Sequence, residues 1–547
     1  MVKTKIIVVT GGVLSGLGKG VVASSIGLLL KSQGYKVAGI KVDPYINIDA
    51  GTMRPTEHGE VFVTEDGGET DQDLGHYERF LDELMLKDQS ITTGQVYYAV
   101  IQRERNLEYD GKCVEVIPHI PMEVRNRILK VGKRTNADFL IVEVGGTVGD
   151  YQSVLFLEAL REMSRELGNV LFVHVAYLPV PGNIGEMKTK PAQHSVRFLN
   201  SSGIQPDIII GRGEKPIDRV RREKLSVFCN VKLDDVYSAP DVDNVYKIPL
   251  ILDQQSMVKN ILKKFGLNYK PGRVRAWESF IKKATTAKEV VKIGIVGKYF
   301  DIGDFTLEDS YVSVIESIKH ASWHNGKRPV IGWLDSKKFE KNPKSLDELS
   351  GYDAIIVPGG FGSSGVEGKI KAIQYAREHD IPYLGLCYGL QLAVVEFARN
   401  VCGMKKASTT EIDKNTPYPV IAILPEQEKK LKEKEYGGSM RLGAYPAQLK
   451  RGTLVYHLYG DKDNISERHR HRYEVNPEFI EKLESHGLVF SGRSPDRKLM
   501  EFMELPSNTF HVGTQAHPEF KSRPLRPAPL FDGLIKAAIK KKSLHNI

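Results

Sequence analysis

Residues Lys5 to Thr10 (KIIVVT) carry an unbroken apolar run, Ile6 to Val9, that passes into Gly11-Gly12 and on to Gly16, Gly18 and Gly20. A run that is apolar at every position, rather than at alternate ones, is what a strand buried on both faces of a parallel sheet requires. The glycines make a tight turn, and the stretch from Lys19 to Ser32, closed by Gly34, reads as a helix. Strand, glycine turn and helix commit this part of the chain to a layered α/β architecture. The rhythm continues with strands at Lys36–Val42, Phe139–Val144, Val170–Ala176 and Asp207–Ile210, and with helices at Ser153–Leu167 and Pro216–Cys229. It restarts at Val291–Val296, followed by strands Asp353–Val357 and Pro382–Leu386 and helices near Leu307–His320 and Val366–His379. The expected fold class is α/β, with two doubly wound, mostly parallel-sheet domains. Between them, 268–290 is basic and carries Pro271-Gly272, so it reads as a connector that begins as loop and has room for a helix. The expected domains are 1–267 and 291–547, with 268–290 as linker.

A chain of 547 residues has ample material for two such cores. Lys and Arg number 77 against 68 Asp and Glu, a net charge of +9 that suits polyanionic small molecules such as nucleotides. No aromatic-basic motif accompanies the charge, so specific nucleic-acid binding is the weakest reading. The lysines at Lys536, Lys540, Lys541 and Lys542 read as a solvated tail, and Glu428–Glu435 as a surface loop. Cys113, Cys229, Cys387 and Cys402 are too scattered for a disulfide framework, and no CxxC pair suggests structural zinc. The apolar start resembles a signal peptide only until the glycines break it. The charge-free stretch Leu167–Gly185 carries Asn169, His174, Pro179, Pro181 and Asn183, which suits a buried strand and loop better than a membrane span. The expected setting is a reduced cytoplasm.

The turn Gly11–Gly20 (GGVLSGLGKG) lies between strand and helix, where backbone N–H groups and the helix N-terminus gather phosphate oxygens. Lys19 can reach the outer phosphates. In the spacing G-x-x-x-x-G-K-[ST], however, Val13 takes the first glycine position and Gly20 the place of the hydroxyl that would ligate Mg²⁺. Carboxylates must then hold the metal. Asp73 stands in the acidic run Glu69–Asp73, and Glu143 ends an apolar strand at the sheet edge where α/β folds bind ligands. A second anion site is expected at Lys188-Thr189-Lys190-Pro191-Ala192-Gln193-His194, where two lysines precede a proline at a helix start. Two phosphate sites suggest two nucleotides.

The second domain carries a different chemistry. Gly385-Leu386-Cys387-Tyr388-Gly389 has the form of a nucleophile elbow between strand and helix. His517 is the candidate base and Glu519 its orienting partner, while Pro358-Gly359-Gly360-Phe361-Gly362 offers N–H groups for an oxyanion hole. Together these point to acyl transfer through a thioester.

The second domain resembles the class I, triad-type glutamine amidotransferases. The first resembles the ATP-dependent amidoligase domain of the CTP synthase family, a P-loop domain similar in fold to dethiobiotin synthetase. The resemblance rests on GGVLSGLGKG, KVDPYINIDAGTM, HGEVFVTEDGGETDQDLGHYERF, VEVGGTVGD, KTKPAQHSVRFL, RHRHRYEVN and HPEF, and covers nearly the whole chain. It implies that ammonia, released from glutamine at Cys387 with His517 and Glu519 and carried internally, aminates a UTP phosphorylated at O4 by ATP, giving CTP. It further implies that Gly16, Leu17, Gly18, Lys19, Gly20, Val21, Asp73, Pro240, Asp241 and Val242 hold ATP. UTP or inhibitory CTP is assigned to Ser15, Asp150, Tyr151, Gln152, Lys188, Thr189, Lys190, Pro191, Ala192, Gln193 and Lys224. Mg²⁺ falls to Asp73 and Glu143, and glutamine to Gly360, Tyr388, Gly389, Leu390, Gln391, Glu411 and Arg472. In that pairing Arg472 meets the α-carboxylate and Glu411 the α-amino group. Activation by GTP and assembly into homotetramers or filaments are family traits. The chain departs from the family pattern at Tyr151-Gln152 and Ser363-Ser364, positions tied to CTP inhibition and GTP activation, and at Pro240 beside the adenine pocket. The competing readings are another P-loop amidoligase joined to the same glutaminase, such as a cobyrinic acid diamide synthase, and a catalytically silent filament subunit.

Overall fold

The structure, a computed structural model, describes residues 4–182, 185–271, 274–297, 301–302, 305–306, 308–360, 362–423 and 440–545. Phe361, Leu307, Gly272, Asn183 and the segment Glu428–Glu435, named above, lie outside the described residues. The chain forms two compact units: residues 1–50 with 73–281, and residues 51–72 with 282–547. The segment 51–72, expected within a contiguous first domain, thus packs with the second unit. The stretch expected as linker contains the helix Arg275–Thr286, whose Trp277 and Phe280 are buried against Tyr246 of the first unit.

The first unit is built on seven strands: β1 (Lys5–Gly12), β2 (Val37–Asp43), β3 (Ser90–Thr92), β4 (Phe139–Val144), β5 (Val170–Tyr177), β6 (Ile208–Gly213) and β7 (Val236–Pro240). Their order is β3-β2-β4-β1-β5-β6-β7, and every pairing is parallel. The apolar runs explain this, because alternate residues serve opposite faces. Ile6, Val8, Leu140 and Val142 pack with Val124, Ile128 and Leu160 of the helices Val116–Thr135 and Val154–Leu167. On the other face Ile141 and Gly39 meet the helices α1 (Lys19–Ser32) and α2 (Asp73–Leu81). All strands point the same way, so the β1–α1 turn, Lys188–Gln193 and Asp241 follow the carboxyl ends of strands along one edge, and Glu143 is the penultimate residue of β4.

The second unit holds a nine-stranded sheet. Its parallel half comprises β8 (Val290–Gly297), β9 (Arg328–Asp335), β10 (Ala354–Val357), β11 (Tyr383–Leu386) and, further along the chain, β16 (His511–Thr514). The antiparallel half comprises β12 (Arg441–Leu449), β13 (Asn464–His471), β14 (Val489–Arg493) and β15 (Met500–Glu504). The order is β9-β8-β10-β11-β16-β15-β14-β12-β13. The antiparallel extension was not signalled by the α/β rhythm, which reads strands only where helices alternate with them. Ile355 and Val357 belong to one apolar core and Ala354 and Ile356 to another, so both faces of β10 are covered. Among the described residues no helix is long and apolar enough to cross a membrane.

Candidate active sites

In the first unit, β1 delivers the chain into a turn closed by Gly18, whose φ of 80° lies in the left-handed region and caps α1. Lys19 is buried and its Nζ donates to the Gly146 carbonyl at 2.7 Å. Burial first, and Lys41 among its neighbours, lowers the Lys19 ammonium from its ordinary value. Lys41, from β2, pairs with Asp73 and lies 3.4 Å from Asp43 and 3.7 Å from Glu143. Burial opposes ionisation of Asp73, but Lys41 and His76 outweigh it and hold that carboxyl below its usual range. Glu143 is pushed up to about 7, by burial and then by Asp73, against Lys41. Tyr77 donates to Glu143 Oε2 at 3.0 Å.

These residues fit a divalent cation. A Cβ placed on Gly20 would fall 2.6 Å from Asp73 Oδ1 and 3.5 Å from Glu143 Oε2, so both carboxylates converge on the start of α1 beneath the phosphate turn. Two lysines face three carboxylates there, a deficit of positive charge that an arriving triphosphate deepens. No cluster of three or more His, Cys, Asp and Glu forms a ready cage among the described residues. Two carboxylates converging beside a glycine turn suit Mg²⁺, which binds one or two carboxylates together with phosphates and water.

Around this centre, Arg212 Nε donates to Leu17 O at 3.1 Å, and its Nη2 lies 3.1 Å from Asp241. It thus ties the phosphate turn to the Pro240-Asp241 end of β7, a role that nothing in the local sequence around Arg212 announces. Thr189 precedes the helix α3 (Lys190–Ser201). Lys188 pairs with Glu186 at 2.8 Å, and Lys190 Nζ stands 5.4 Å from the Phe228 ring, on the exposed helix that carries Lys224. Asp150 accepts from Thr147 N–H at 3.1 Å, while Tyr151 is 96% exposed.

In the second unit, Cys387 (φ 49°, ψ −98°) makes the sharp turn from β11 into the helix Tyr388–Asn400. The turn is possible because Gly389 lies against the strand β10: a Cβ there would fall 2.1 Å from the Val357 carbonyl oxygen. Gly389→Ala is therefore expected to destabilise this unit by about 1–3 kcal/mol, seen as a lowered thermal unfolding midpoint, and to misplace the thiol. His517 Nδ1 and Glu519 Oε1 are 2.7 Å apart. A Cβ on Gly359 would touch His517 Cε1 at 2.8 Å and Cys387 Cβ at 3.8 Å, so ring and thiol both lie against that glycine. Burial depresses His517, but Glu519 and then Cys387 more than offset it and raise the imidazole to about 10.

Cys387, His517, Glu519, Gly360 and Arg472 border one cavity of about 540 Å³. Gly51, Thr52 and Glu60 of the 51–72 segment border it too. That segment is anchored by Glu65, which accepts from Arg468 and Lys521 at 3.0 Å each, and by Glu69, which accepts from Arg470 at 2.8 Å. Its share in the cavity was not foreseen, since contacts some 400 residues apart leave no local periodicity. Glu411 accepts from Gly362 N–H at 2.7 Å. Of the elbow helix, Leu390 belongs to the apolar core and Gln391 is buried.

A phosphate turn with paired carboxylates on one α/β unit, and a Cys–His–Glu elbow on a second, define an amidotransferase-type ligase. The family profile described as CTP synthase N-terminus matches residues 5–267, and that described as glutamine amidotransferase class-I matches residues 306–537. A CTP synthase of Pyrococcus abyssi is 54% identical over 538 residues, 98% of each chain. One of Methanocaldococcus jannaschii is 53% identical over 545 residues, 98% of this chain and 99% of its own. A solved glutaminase domain of Trypanosoma brucei CTPS with bound acivicin is 36% identical, covering 46% of this chain and 94% of that one, with a TM-score of 0.43. The chain belongs to the CTP synthase family.

Proposed function

We propose that the protein aminates UTP to CTP at the expense of ATP, with ammonia drawn from glutamine at Cys387. The observation that carries this reading is the pairing of a phosphate turn over Asp73 and Glu143 with a Cys387–His517–Glu519 elbow in one chain whose near-full-length relatives are CTP synthases.

In the second unit, Cys387 Sγ attacks the glutamine carboxamide carbon. Gly360 and Tyr388 N–H groups receive the developing oxyanion. His517, held protonated beside Glu519, gives its proton to the departing ammonia, and the C–N bond breaks as the thioester forms. Water then releases glutamate. Arg472 binds the α-carboxylate and Glu411 the α-amino group of glutamine, and Tyr388 to Gln391 support it through the backbone.

In the first unit, Gly16 to Val21 cradle the ATP phosphates, Lys19 neutralises the transferring group, and Pro240 to Val242 border the adenine. Ser15, Asp150 to Gln152, Lys188 to Gln193 and Lys224 bind UTP, or CTP as feedback inhibitor. The γ-phosphoryl group passes to O4 of UTP, leaving ADP; ammonia attacks C4 and expels phosphate. Asp73 and Glu143 would hold Mg²⁺, which would supply charge neutralisation on the phosphates. GTP activation and a tetrameric or filamentous assembly belong to the same reading. Omitting ATP from a mixture of UTP, glutamine and Mg²⁺ must abolish CTP; CTP formed without ATP would overturn the reading.

A pH dependence follows from Glu143. Because its carboxyl is raised to about 7, it is largely protonated below that pH and releases its proton above it. A proton competes with a metal for the same oxygens. With ammonia as donor and Mg²⁺ in excess of nucleotide, the Mg²⁺ needed for half-maximal rate is expected to fall as pH rises through about 7, by up to about tenfold per unit below it. Glu143→Gln should remove this trend. An unchanged Mg²⁺ requirement across the range would take Glu143 out of the metal site.

A further inference from the structure

Beneath the Cys387 sulfur lie two buried amides, Gln391 and Gln515. Gln515 Nε2 donates to Cys387 Sγ at 3.7 Å. The direction of that bond is fixed by its neighbours. A carbonyl only accepts, so Gln391 must turn its NH₂ toward the Tyr473 carbonyl, 2.9 Å away. The same Nε2 lies 3.4 Å from Gln515 Oε1. Gln515 therefore presents oxygen to Gln391, which leaves its own NH₂ for the sulfur. Its backbone N–H is anchored to the Glu501 carbonyl at 2.8 Å, so the side chain starts from a fixed point on the loop after β16.

Building on the reading of Cys387 as glutaminase nucleophile, we propose that Gln515 is a further catalytic residue, donating a hydrogen bond that stabilises negative charge on the sulfur, and that Gln391 is the positioning residue that fixes its amide. The amide gives up no proton. It stabilises the thiolate while His517 alone exchanges the proton with the leaving group. A neutral donor does this without placing a second charge next to the imidazole. Gln391, which the family resemblance assigns to glutamine binding, thus acts from behind the nucleophile, its side-chain amide turned to Gln515.

The test is the pH profile of Cys387 alkylation by iodoacetamide in the full chain without glutamine, followed on the Cys387 peptide by mass spectrometry because Cys113 is exposed and reacts as well. The charged groups bordering the cavity, His517 and Glu519 on the turn after β16, Arg470 and Arg472 at the end of β13, and Glu60 of the 51–72 segment, stay the same in every variant. Gln515→Leu removes the donor; Gln515→Glu keeps its size and replaces the donor by an acceptor. The alkylation midpoint is expected to move up by about one unit in Gln515→Leu and further in Gln515→Glu. Gln391→Leu should shift it less, in the same direction. Glutaminase kcat should fall in step while KM for glutamine holds. If Gln515→Leu fails to fold by thermal unfolding, the size-matched Gln515→Glu carries the test. Wild-type midpoints in the Gln515 variants, with glutaminase activity lost, would reduce Gln515 to packing and overturn the proposal. A wild-type Cys387 that does not alkylate at all would instead bring down the nucleophile reading on which it rests.

Discussion

Cys387→Ala is expected to abolish CTP formation from glutamine while leaving CTP formation from ammonium chloride intact. The sulfur is the atom that forms the thioester, and neither His517 nor Glu519 can replace it; loss of a nucleophile of this kind costs about 10⁴–10⁶ in turnover. Alanine fits the elbow, because removing Sγ leaves the Gly389–Val357 contact and the helix Tyr388–Asn400 in place. The phosphate turn, Lys41, Asp73 and Glu143 all belong to the other unit. The two reactions should therefore separate. Loss of the ammonia reaction in a folded Cys387→Ala protein would show that the sites are not independent.

Lys19→Ala is expected to lose both reactions. Lys19 is buried, directed by the Gly146 carbonyl at 2.7 Å, and stands over the carboxylates of Asp73 and Glu143. Removing a charge preorganised at a transferring phosphoryl group costs at least about 10²–10³ in rate. It also leaves Lys41 to face Asp43, Asp73 and Glu143 alone, so the anionic triphosphate binds more weakly. Glutamine hydrolysis measured as glutamate release should persist, since Cys387, His517 and Glu519 are untouched. Lys19→Ala with normal ammonia-dependent rates, at saturating ATP, would remove the lysine from phosphoryl transfer.

The sheets were legible where the chain repeats a local rule. Phe139–Val144 is apolar at every position but Glu143 and is a strand over those residues; Lys19–Ser32 lies between two glycines and is a helix over those residues. Cys387, His517 and Glu519 were legible because each sits in a short glycine- or proline-marked turn, and the structure borders one cavity with all three. What stayed hidden depends on long-range pairing. Glu65 and Glu69 read as an acidic run, yet they hold Arg468 and Arg470. Lys41 lay inside a strand, where alternation says which face it takes and nothing of the three carboxylates it would meet. Gln515 stands two residues before His517 in a motif that was read for its histidine. Only the folded position of Gln391 reveals which way its amide points.

The most direct measurement of the central claim is CTP formation from UTP, ATP and Mg²⁺, with glutamine and ammonium chloride supplied in separate reactions. The account predicts CTP from both sources, with glutamate released only in the first. CTP from neither source, in a protein that still binds both nucleotides, would contradict it and favour a different ligase or a silent assembly subunit.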